Sequence, residues 1–437
     1  MGSSTQILSN HSNENLVIGI DWADKKHDYY LITSDGQQQR GVFDQTPEAI
    51  ANWVQKLQTA HPQAALDICI EIQQGALISA LLMHDNVRIF PINPLQLSRY
   101  RDSQDVSGRK GDPTDAQLIA QFLSNYRHKL RMLSTEDPNT RRLQVLVKHR
   151  RQIVDARKDR GNELLSLLKQ YFPLMVELSA AKIYADFICK MLLKWPTLEK
   201  LQRVKPDKLR KFFYACNLRG DHVNTKLQLI ADAQPLTTDP VLLESLGMKV
   251  NHLVQLLLLD SKAVVSYDRQ IKALLKEHAD YEIVNSLPGA ALQMQSRMIA
   301  ALGTDRKRFE SAQQLQCYSG IAPVTRRSGR SCYVHHRWAC TKFVKQTFHE
   351  YAGLSITKSI WAKAYYDMLL SRGKKSQSAK RALAYKWQRI IFRCWQDGKP
   401  YDEARYIDRL RQAGSPIIKF MEAQAAVENT SAEAPRK

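Results

Sequence analysis

Short apolar runs separated by turn residues characterise the start of the chain. A helical pattern opens at Thr46-Pro47-Glu48, and the apolar runs before it occupy residues 16–21, 29–32 and 41–43. The dipeptide Asp35-Gly36 is typical of a tight turn, and Thr followed by Pro is typical of a helix start. The pattern predicts three antiparallel strands followed by a helix.

Strands and helices alternate in the next part of the chain. The pattern predicts a strand at residues 65–71, a helix at 75–83 and a strand at 87–90. A three-stranded meander followed by strand–helix units is the order of a ribonuclease-H-like α/β sheet. Asp21 and Glu71 each end an apolar run, and sites on such sheets gather at strand ends. We therefore expect the two carboxylates to lie together, although each could simply end a strand.

Two further carboxylates, Asp112 and Asp115, are three residues apart at a predicted helix start. Pro113 suits the first helical position and Asp112 the N-cap, so both carboxylates share one face. The pair is either a helix cap or half of a metal site completed by Asp21 and Glu71. Such oxygen ligands select Mg²⁺, with Mn²⁺ as the alternative, and these ions serve phosphodiester chemistry.

Long helices are predicted between residues 131 and 280. Apolar residues recur at every seventh position, at Val250, Leu257, Val264 and Ile271. This spacing predicts a coiled-coil seam, which Asp260 interrupts. An earlier helical segment, residues 141–171, could pair with this helix within the chain or across a dimer, and the sequence leaves both arrangements open.

The charge of the chain points to a polyanionic partner. Its 64 Lys and Arg exceed its 43 Asp and Glu by 21, and its pI is about 9.6. No amphipathic anchor accompanies this charge, so nucleic acid is favoured over a membrane. The seven cysteines form no Cys-x-x-Cys pair, no signal sequence opens the chain, and we find no window of membrane-spanning length, which together predict a cytoplasmic protein.

A glycine turn between arginines, residues 318–330, is the most distinctive C-terminal stretch. Ser328 lies there beside Arg326, Arg327 and Arg330. A serine hydroxyl is a nucleophile once a base or metal activates it, and arginines stabilise developing phosphate charge. The alternative is a loop that only binds phosphate, and on chemistry alone Ser319, Ser331 or Tyr318 could serve as well.

Further basic residues are candidate nucleic-acid contacts. Lys386, Arg389 and Arg393 share one face of a helix predicted to start near Ser378, and the others are Arg337 and Lys342. The spacing of Cys332, His335, His336 and Cys340 fits no usual zinc site, so we interpret the two histidines as phosphate contacts instead.

Several motifs of the chain occur together in one known family. They are Gly19-Ile20-Asp21, Ile70-Glu71, Lys110-Gly111-Asp112-Pro113-Thr114-Asp115-Ala116, Leu287-Pro288-Gly289, Tyr318-Ser319-Gly320-Ile321-Ala322-Pro323 and Arg327-Ser328-Gly329. With these motifs the chain resembles the DEDD-type insertion-sequence transposases of the IS-one-ten family, which are related to the Piv and MooV invertases and are also called bridge recombinases. It departs from them at Gln73-Gln74 and at Gly111, and neither change removes a ligand.

The resemblance implies roles for individual residues. Ser328 would be the nucleophile that becomes covalently linked to DNA, and a RuvC-like domain would carry the metal-binding tetrad Asp21, Glu71, Asp112 and Asp115. The resemblance also implies double-stranded DNA substrates at the element ends and target, a structured noncoding guide RNA, and a tetramer, a dimer of dimers, that assembles each site from different subunits.

These observations predict an α/β plus α protein. A RuvC-like, ribonuclease-H-like domain at residues 16–130 follows a disordered tail at 1–15. A helical coiled-coil stalk at 131–280 leads to a mainly helical serine transposase domain at 281–411 and a mobile tail at 412–437. The alternative functions are a RuvC-like nuclease that uses metal-activated water and a non-catalytic nucleic-acid-binding protein.

Overall fold

A computed structural model of the chain describes residues 15–72, 74–104, 112–133, 136–180, 182–329, 331–338 and 340–432, without the side chains of residues 104, 112–114 and 426–432. The chain divides into two compact units, the first ending at Thr135 and the second beginning at Glu136. The proposed division of the second part at residue 280 stays a prediction.

The described residues of the first unit form a five-stranded sheet and four helices. Its strands are β1 (Asn15–Asp21), β2 (Lys26–Ile32), β3 (Gln38–Asp44), β4 (Ala65–Ile70) and β5 (Val87–Pro91). Its helices are α1 (Pro47–Ala60), α2 (Ala76–Leu81), α3 (Pro94–Gln104) and α4 (Asp112–Tyr126), and a 3-10 turn (Arg127–Lys129) follows.

The sheet has the strand order β3-β2-β1-β4-β5. Strands β1, β2 and β3 pair antiparallel, whereas β4 pairs parallel with both β1 and β5. The predicted meander followed by strand–helix units is therefore confirmed as a mixed α/β sheet.

Helix α1 illustrates how the sequence specifies an element of this unit. The Thr46 hydroxyl accepts a hydrogen bond from the Ala49 amide (3.2 Å), and Pro47 occupies the first helical turn. The buried face of the helix includes Trp53, whose ring stacks on Phe43 of β3 with 4.4 Å between the ring centroids. A side-chain cap and one apolar face are sufficient to place α1 against the sheet.

The second unit is almost entirely helical. Its helices are α5 (Pro138–Tyr171), α6 (Leu174–Ser179), α7 (Asp186–Lys194), α8 (Leu198–Gln202), α9 (Pro206–Ala215), α10 (Asp221–Asp232), α11 (Pro240–Glu277), α12 (Tyr281–Asn285), α13 (Leu292–Leu302), α14 (Ala312–Tyr318), α15 (Lys342–Ser355), α16 (Ile360–Ser371), α17 (Ser376–Asp397), α18 (Glu403–Gln412) and α19 (Pro416–Ala432). A 3-10 turn (Arg306–Arg308) precedes α14, and one hairpin joins β6 (Val324–Ser328) to β7 (Ser331–His335).

Helices α5 and α11 pack antiparallel along each other. Ion pairs join Arg150 to Asp268, with 2.6 Å between Nε and Oδ1, and Arg160 to Asp260. From the first ion pair to the second, the residue number rises in α5 and falls in α11, so the two helices run in opposite directions. The pairing that the sequence left open is thus present within the chain, and the residue that interrupts the heptad pattern has an arginine partner.

Three buried tryptophans organise the core around helices α13 to α18. Each indole nitrogen donates a hydrogen bond: Trp361 to the Tyr401 hydroxyl (2.7 Å), Trp387 to the Ser355 hydroxyl (2.8 Å) and Trp395 to the Gly303 carbonyl (2.9 Å). Because each polar atom has a partner, the large rings are buried without an unsatisfied donor. A separate apolar cluster joins α6–α10 to the facing parts of α5 and α11.

Helix α19 occupies most of the segment predicted to be a mobile tail, and the apolar pair Ile417 and Ile418 is buried at its start. The mobility of this segment stays a prediction. In addition, α11 is long and apolar enough to cross a membrane by length and composition, contrary to the expectation that no window has that length. The ion pairs of α11 with α5 are those of a packed helix pair.

Candidate active site and nucleic-acid interface

Asp21 and Glu71 lie at the carboxyl ends of two neighbouring strands. Strands β1 and β4 are parallel, and Ile20 pairs with Ile70. The two carboxylate residues, each of which directly follows one of these isoleucines, are therefore side by side at the same edge of the sheet. Neighbouring strands are about 4.8 Å apart. Asp21 is half-buried and Glu71 is exposed. The predicted convergence of these two residues at the strand ends is thus present in the backbone.

Helix α4 carries Asp115 to the same region. A Cβ atom on Gly19 would lie 2.2 Å from the Ala116 carbonyl oxygen and 2.4 Å from the Ala120 nitrogen, so only glycine permits this approach. Ala116 follows Asp115, and Gly19 precedes Asp21 by two residues. Close contact between helix and strand therefore brings Asp115 near the strand end that bears Asp21.

The side chain of Asp112, the fourth member of the predicted tetrad, lies outside the described residues. Among the described side chains, no three of the types His, Cys, Asp and Glu converge closely enough to hold a metal. The donors at this edge are all carboxylate oxygens, which suits a hard cation such as Mg²⁺. The donor chemistry therefore fits the implied ion, and the complete ligand set stays a prediction.

Arg101 is a neighbour of this site that the sequence analysis missed. Its guanidinium Nη2 donates to Asp115 Oδ1 over 2.6 Å, and both side chains are largely buried. A metal bound by Asp115 would compete with Arg101 for this oxygen. Only the packing of α3 against α4 reveals the contact, since the two residues belong to different helices.

Ser328 lies at the end of strand β6, beside the hairpin turn. It pairs with Ser331 across the hairpin, and Gly329 in the turn has a φ of +56°. Left-handed backbone of this kind favours glycine. Ser328 is exposed, whereas its predicted neighbour Arg330 lies outside the described residues.

The hairpin has two different faces. Since side chains alternate along a strand, Ser328 shares its face with Arg326, and Arg327 points to the opposite face. Tyr333 lies directly opposite Arg326 and is 68% exposed, so an aromatic ring joins this face. No sequence motif singles out Tyr333, although the register of a hairpin closed at Gly329 places it there.

The structure separates the alternative nucleophiles. Ser319 is fully buried, and its hydroxyl accepts a hydrogen bond from Gln388 Nε2 (2.7 Å) and donates to the Gln316 carbonyl (3.1 Å). The Tyr318 hydroxyl accepts from Arg308 (3.2 Å). Ser319 therefore serves packing, and the accessible serines of this stretch are Ser328 and Ser331.

The remaining predicted basic residues occupy two places. Arg337 lies just after the hairpin, where its guanidinium contacts the Cys317 sulfur over 3.6 Å, and Lys342 begins α15. The other three, Lys386, Arg389 and Arg393, project from α17 into a cleft of about 740 Å³. Three further cations that the sequence analysis missed line the same cleft: Lys399, Arg405 and Arg409.

Comparison with known proteins places this chain in a family. Residues 18–173 match a family model described as a transposase of the DEDD type, and residues 281–367 match the model of the transposase IS116/IS110/IS902 family. The chain belongs to this transposase family. The first match contains all four predicted metal ligands and implies a RuvC-like fold, and the second match contains Ser328.

Relatives of this transposase cover most of its length. The "Mini-circle putative transposase for IS117" of Streptomyces coelicolor is 27% identical over 91% of this chain and 98% of its own. An insertion element IS900 protein of Mycobacterium paratuberculosis is 24% identical over 88% of this chain and 97% of its own. Family membership makes the protein a DNA-acting enzyme, which agrees with its basic charge.

Proposed function

We propose that this transposase excises and inserts an insertion sequence through a covalent bond between Ser328 and DNA. The observation that carries the proposal is an exposed serine at a hairpin tip, with Arg326 and Tyr333 on its face, in a chain of a transposase family. Exposure matters because the scissile phosphate belongs to a large substrate that must approach from solvent.

The proposed step exchanges one phosphate ester for another. The Ser328 oxygen attacks the phosphorus, the bond from phosphorus to one sugar oxygen breaks, and the serine proton passes to that leaving oxygen. In the resulting phosphoserine ester the phosphorus stays bonded to one DNA strand. A hydroxyl of a second strand then attacks this phosphorus, displaces the Ser328 oxygen, which regains a proton, and joins the two strands. Arg326 supplies positive charge to the non-bridging oxygens.

The carboxylates of the first unit would hold the divalent metal. Asp21, Glu71 and Asp115 offer oxygen ligands at one edge of the sheet, and Asp112 completes the proposed set. When bound, the ion supplies charge that stabilises the phosphate and the leaving oxygen. The protein's own contribution is to place these ligands on strand ends and on a helix fixed by Gly19.

The proposal extends to a structured guide RNA and to a dimer of dimers. The excess of 21 positive charges supports polyanionic partners in general. The family resemblance supplies the guide RNA and the assembly. In this arrangement base pairing selects the donor and target sequences, and the protein performs strand exchange.

Trapping the covalent intermediate tests the proposal. We expect the wild-type protein, given a nicked suicide DNA substrate, Mg²⁺ and RNA transcribed from the noncoding ends of the element, to form a protein–DNA adduct on a denaturing gel. Ser328→Ala should reduce the adduct at least about 100-fold, since the nucleophile is lost. The matched control is Ser331→Ala, which removes the paired hydroxyl of the hairpin and should leave the adduct.

Two results would contradict this assignment. An adduct of undiminished yield in Ser328→Ala would exclude this serine as the nucleophile. Free DNA ends without any adduct in the wild-type protein would favour the alternative, a RuvC-like nuclease that uses metal-activated water.

A further inference from the structure

A basic cleft separates helices α17 and α18. It has a volume of about 740 Å³ and lies between the C-terminal half of α17 and the facing side of α18. Six cationic side chains line it: Lys386, Arg389, Arg393, Lys399, Arg405 and Arg409. The cleft lies beyond residue 367, where the match to the C-terminal family model ends.

The two acidic residues in the lining are already engaged. Asp397 pairs with Arg393 over 2.8 Å, and the Asp402 carboxylate accepts the Arg405 amide at the start of α18 (3.0 Å). The six cations of the lining still exceed its two carboxylates by four charges. Within the part of the chain that the structure describes, the five remaining basic side chains form no ion pair.

Partial burial disfavours the charged form of one of these residues, Lys386. Its side chain is half-buried, and its ammonium lies 5.0 Å from the centre of the Tyr365 ring. Burial, together with the nearby Arg389, lowers the pKa of this lysine below its ordinary value. A partly buried cation without an acidic partner is stabilised by a bound anion.

The aromatic residues of the cleft are not available to stack on bases. Tyr401 is buried, and its hydroxyl accepts the Trp361 indole, while the Tyr406 ring packs on Trp361 with 4.9 Å between the ring centroids. Most of the charged groups that a ligand can reach in this cleft are guanidinium and ammonium groups. Recognition in this cleft is therefore directed at phosphates and is independent of base sequence.

We propose that the cleft between α17 and α18 binds the sugar–phosphate backbone of a single-stranded polynucleotide. Its volume lies in the range of small-ligand pockets, so it can enclose a short stretch of one flexible strand, whereas a rigid duplex would contact only its rim. The inference deepens the proposed function by naming a partner for this surface, and it does not depend on the chemistry of Ser328.

Charge removal on α18 tests the site. In the Ser328→Ala background, Arg405→Gln combined with Arg409→Gln should weaken binding of a 20-nucleotide single strand about tenfold or more, for both RNA and DNA. The slope of log affinity against log salt should decrease by about 1.4, since two phosphate contacts are lost. Binding of the corresponding duplex should change less than binding of the single strand.

A matched control separates the cleft from net charge. Arg411 lies on α18 and Lys419 on α19, both exposed and both outside the cleft lining. Arg411→Gln combined with Lys419→Gln removes the same charge and should leave single-strand affinity within about twofold of the parent. Thermal unfolding of both double variants verifies that they fold.

The proposal is overturned if the two double variants lose affinity equally, if neither loses it, or if duplex binding falls as much as single-strand binding. None of these results bears on adduct formation, because the background protein lacks the proposed nucleophile. Conversely, loss of the Ser328 assignment would leave this binding experiment unaffected.

Discussion

Gly19 connects a simple sequence feature to the position of a proposed ligand. Its missing side chain allows the backbone of α4 to touch β1, and Asp115 depends on that approach. We expect Gly19→Ala to lower the free energy of unfolding of the first unit by about 1–3 kcal/mol, since the added methyl group would overlap backbone atoms. Hydrogen exchange of the β1 and α4 backbone amides in increasing urea measures this change.

Gly247 provides the matched control for Gly19. It lies within α11, and a Cβ there would meet no atom within 4 Å. Gly247→Ala should therefore stabilise the protein by about 0.5–1 kcal/mol, because alanine favours a helix interior. If Gly19→Ala were equally harmless, α4 would not be held against β1 as described.

The residues of the candidate site differ in how far the sequence predicts them. Asp21 and Glu71 could be predicted because each ends an apolar run, and the parallel register of their strands then places them side by side. Arg101 could not, since its contact with Asp115 depends on how two helices pack. Ser319 has the sequence context of a candidate nucleophile, and only its burial excludes it.

At the level of elements, the heptad pattern predicted the apolar face of α11 and left its partner open. A repeat of seven encodes which side of a helix is buried, but it does not encode whether the partner is in the same chain. The structure supplies α5 as an antiparallel partner, and Arg160 explains why Asp260 is tolerated. Coiled-coil packing over the whole pair stays a prediction.

His278 fastens the end of α11 to the start of α5. Its Nδ1 accepts the Asp280 amide (3.0 Å), so the neutral ring carries its proton on Nε2 and donates it to the Thr140 hydroxyl (2.9 Å). Burial lowers the pKa of His278, despite the opposing effect of nearby carboxylates. The charged groups around it are Asp280, Asp137, Glu136 and Arg306.

This histidine should make the helix junction sensitive to acid. Because its folded pKa lies below the unfolded value of about 6.5, the unfolded state binds more protons between these values, and stability falls as the pH drops through that window. His278→Gln should therefore lose part of the stability difference between pH 7.5 and 5.5. Urea unfolding at both pH values measures the difference.

An exposed histidine in the same unit serves as the control. His222 lies on α10 and is exposed, so His222→Gln should keep the pH dependence of the parent protein. An unchanged dependence in His278→Gln would show that other groups account for the acid sensitivity of the second unit.

At the scale of the whole molecule, the order of strands and helices in the first unit could be predicted better than the structure of the C-terminal segment. Short apolar runs separated by turn residues predicted the mixed sheet, because the pattern of each strand is local. Helix α19 could not be predicted, since residues 412–437 are mostly small and polar. The two isoleucines at its start are buried by helices distant in sequence. The cleft next to α18 likewise combines residues from two helices and their connection.

The assembly of each site from different subunits, which the family resemblance implies, leads to a prediction. The proposed ligand Asp21 belongs to the first unit and Ser328 to the second. We propose that each complete site combines these units from different subunits. Asp21→Asn and Ser328→Ala, each inactive alone, would then generate one intact site in every mixed dimer. After denaturation and joint refolding, adduct yield should return to about a quarter of wild type, since half the dimers are mixed and each has one working site.

A second pair of variants identifies the reason for any recovery. Asp21→Asn mixed with Glu71→Gln places both changes in the first unit, so every site in a mixed dimer retains one damaged set of ligands and no adduct should form. If the first mixture also stays inactive while both proteins fold and associate, each site is built within one chain. Recovery in both mixtures would instead show that Asp21 and Glu71 do not act together, which would contradict the shared metal site proposed at the edge of the sheet.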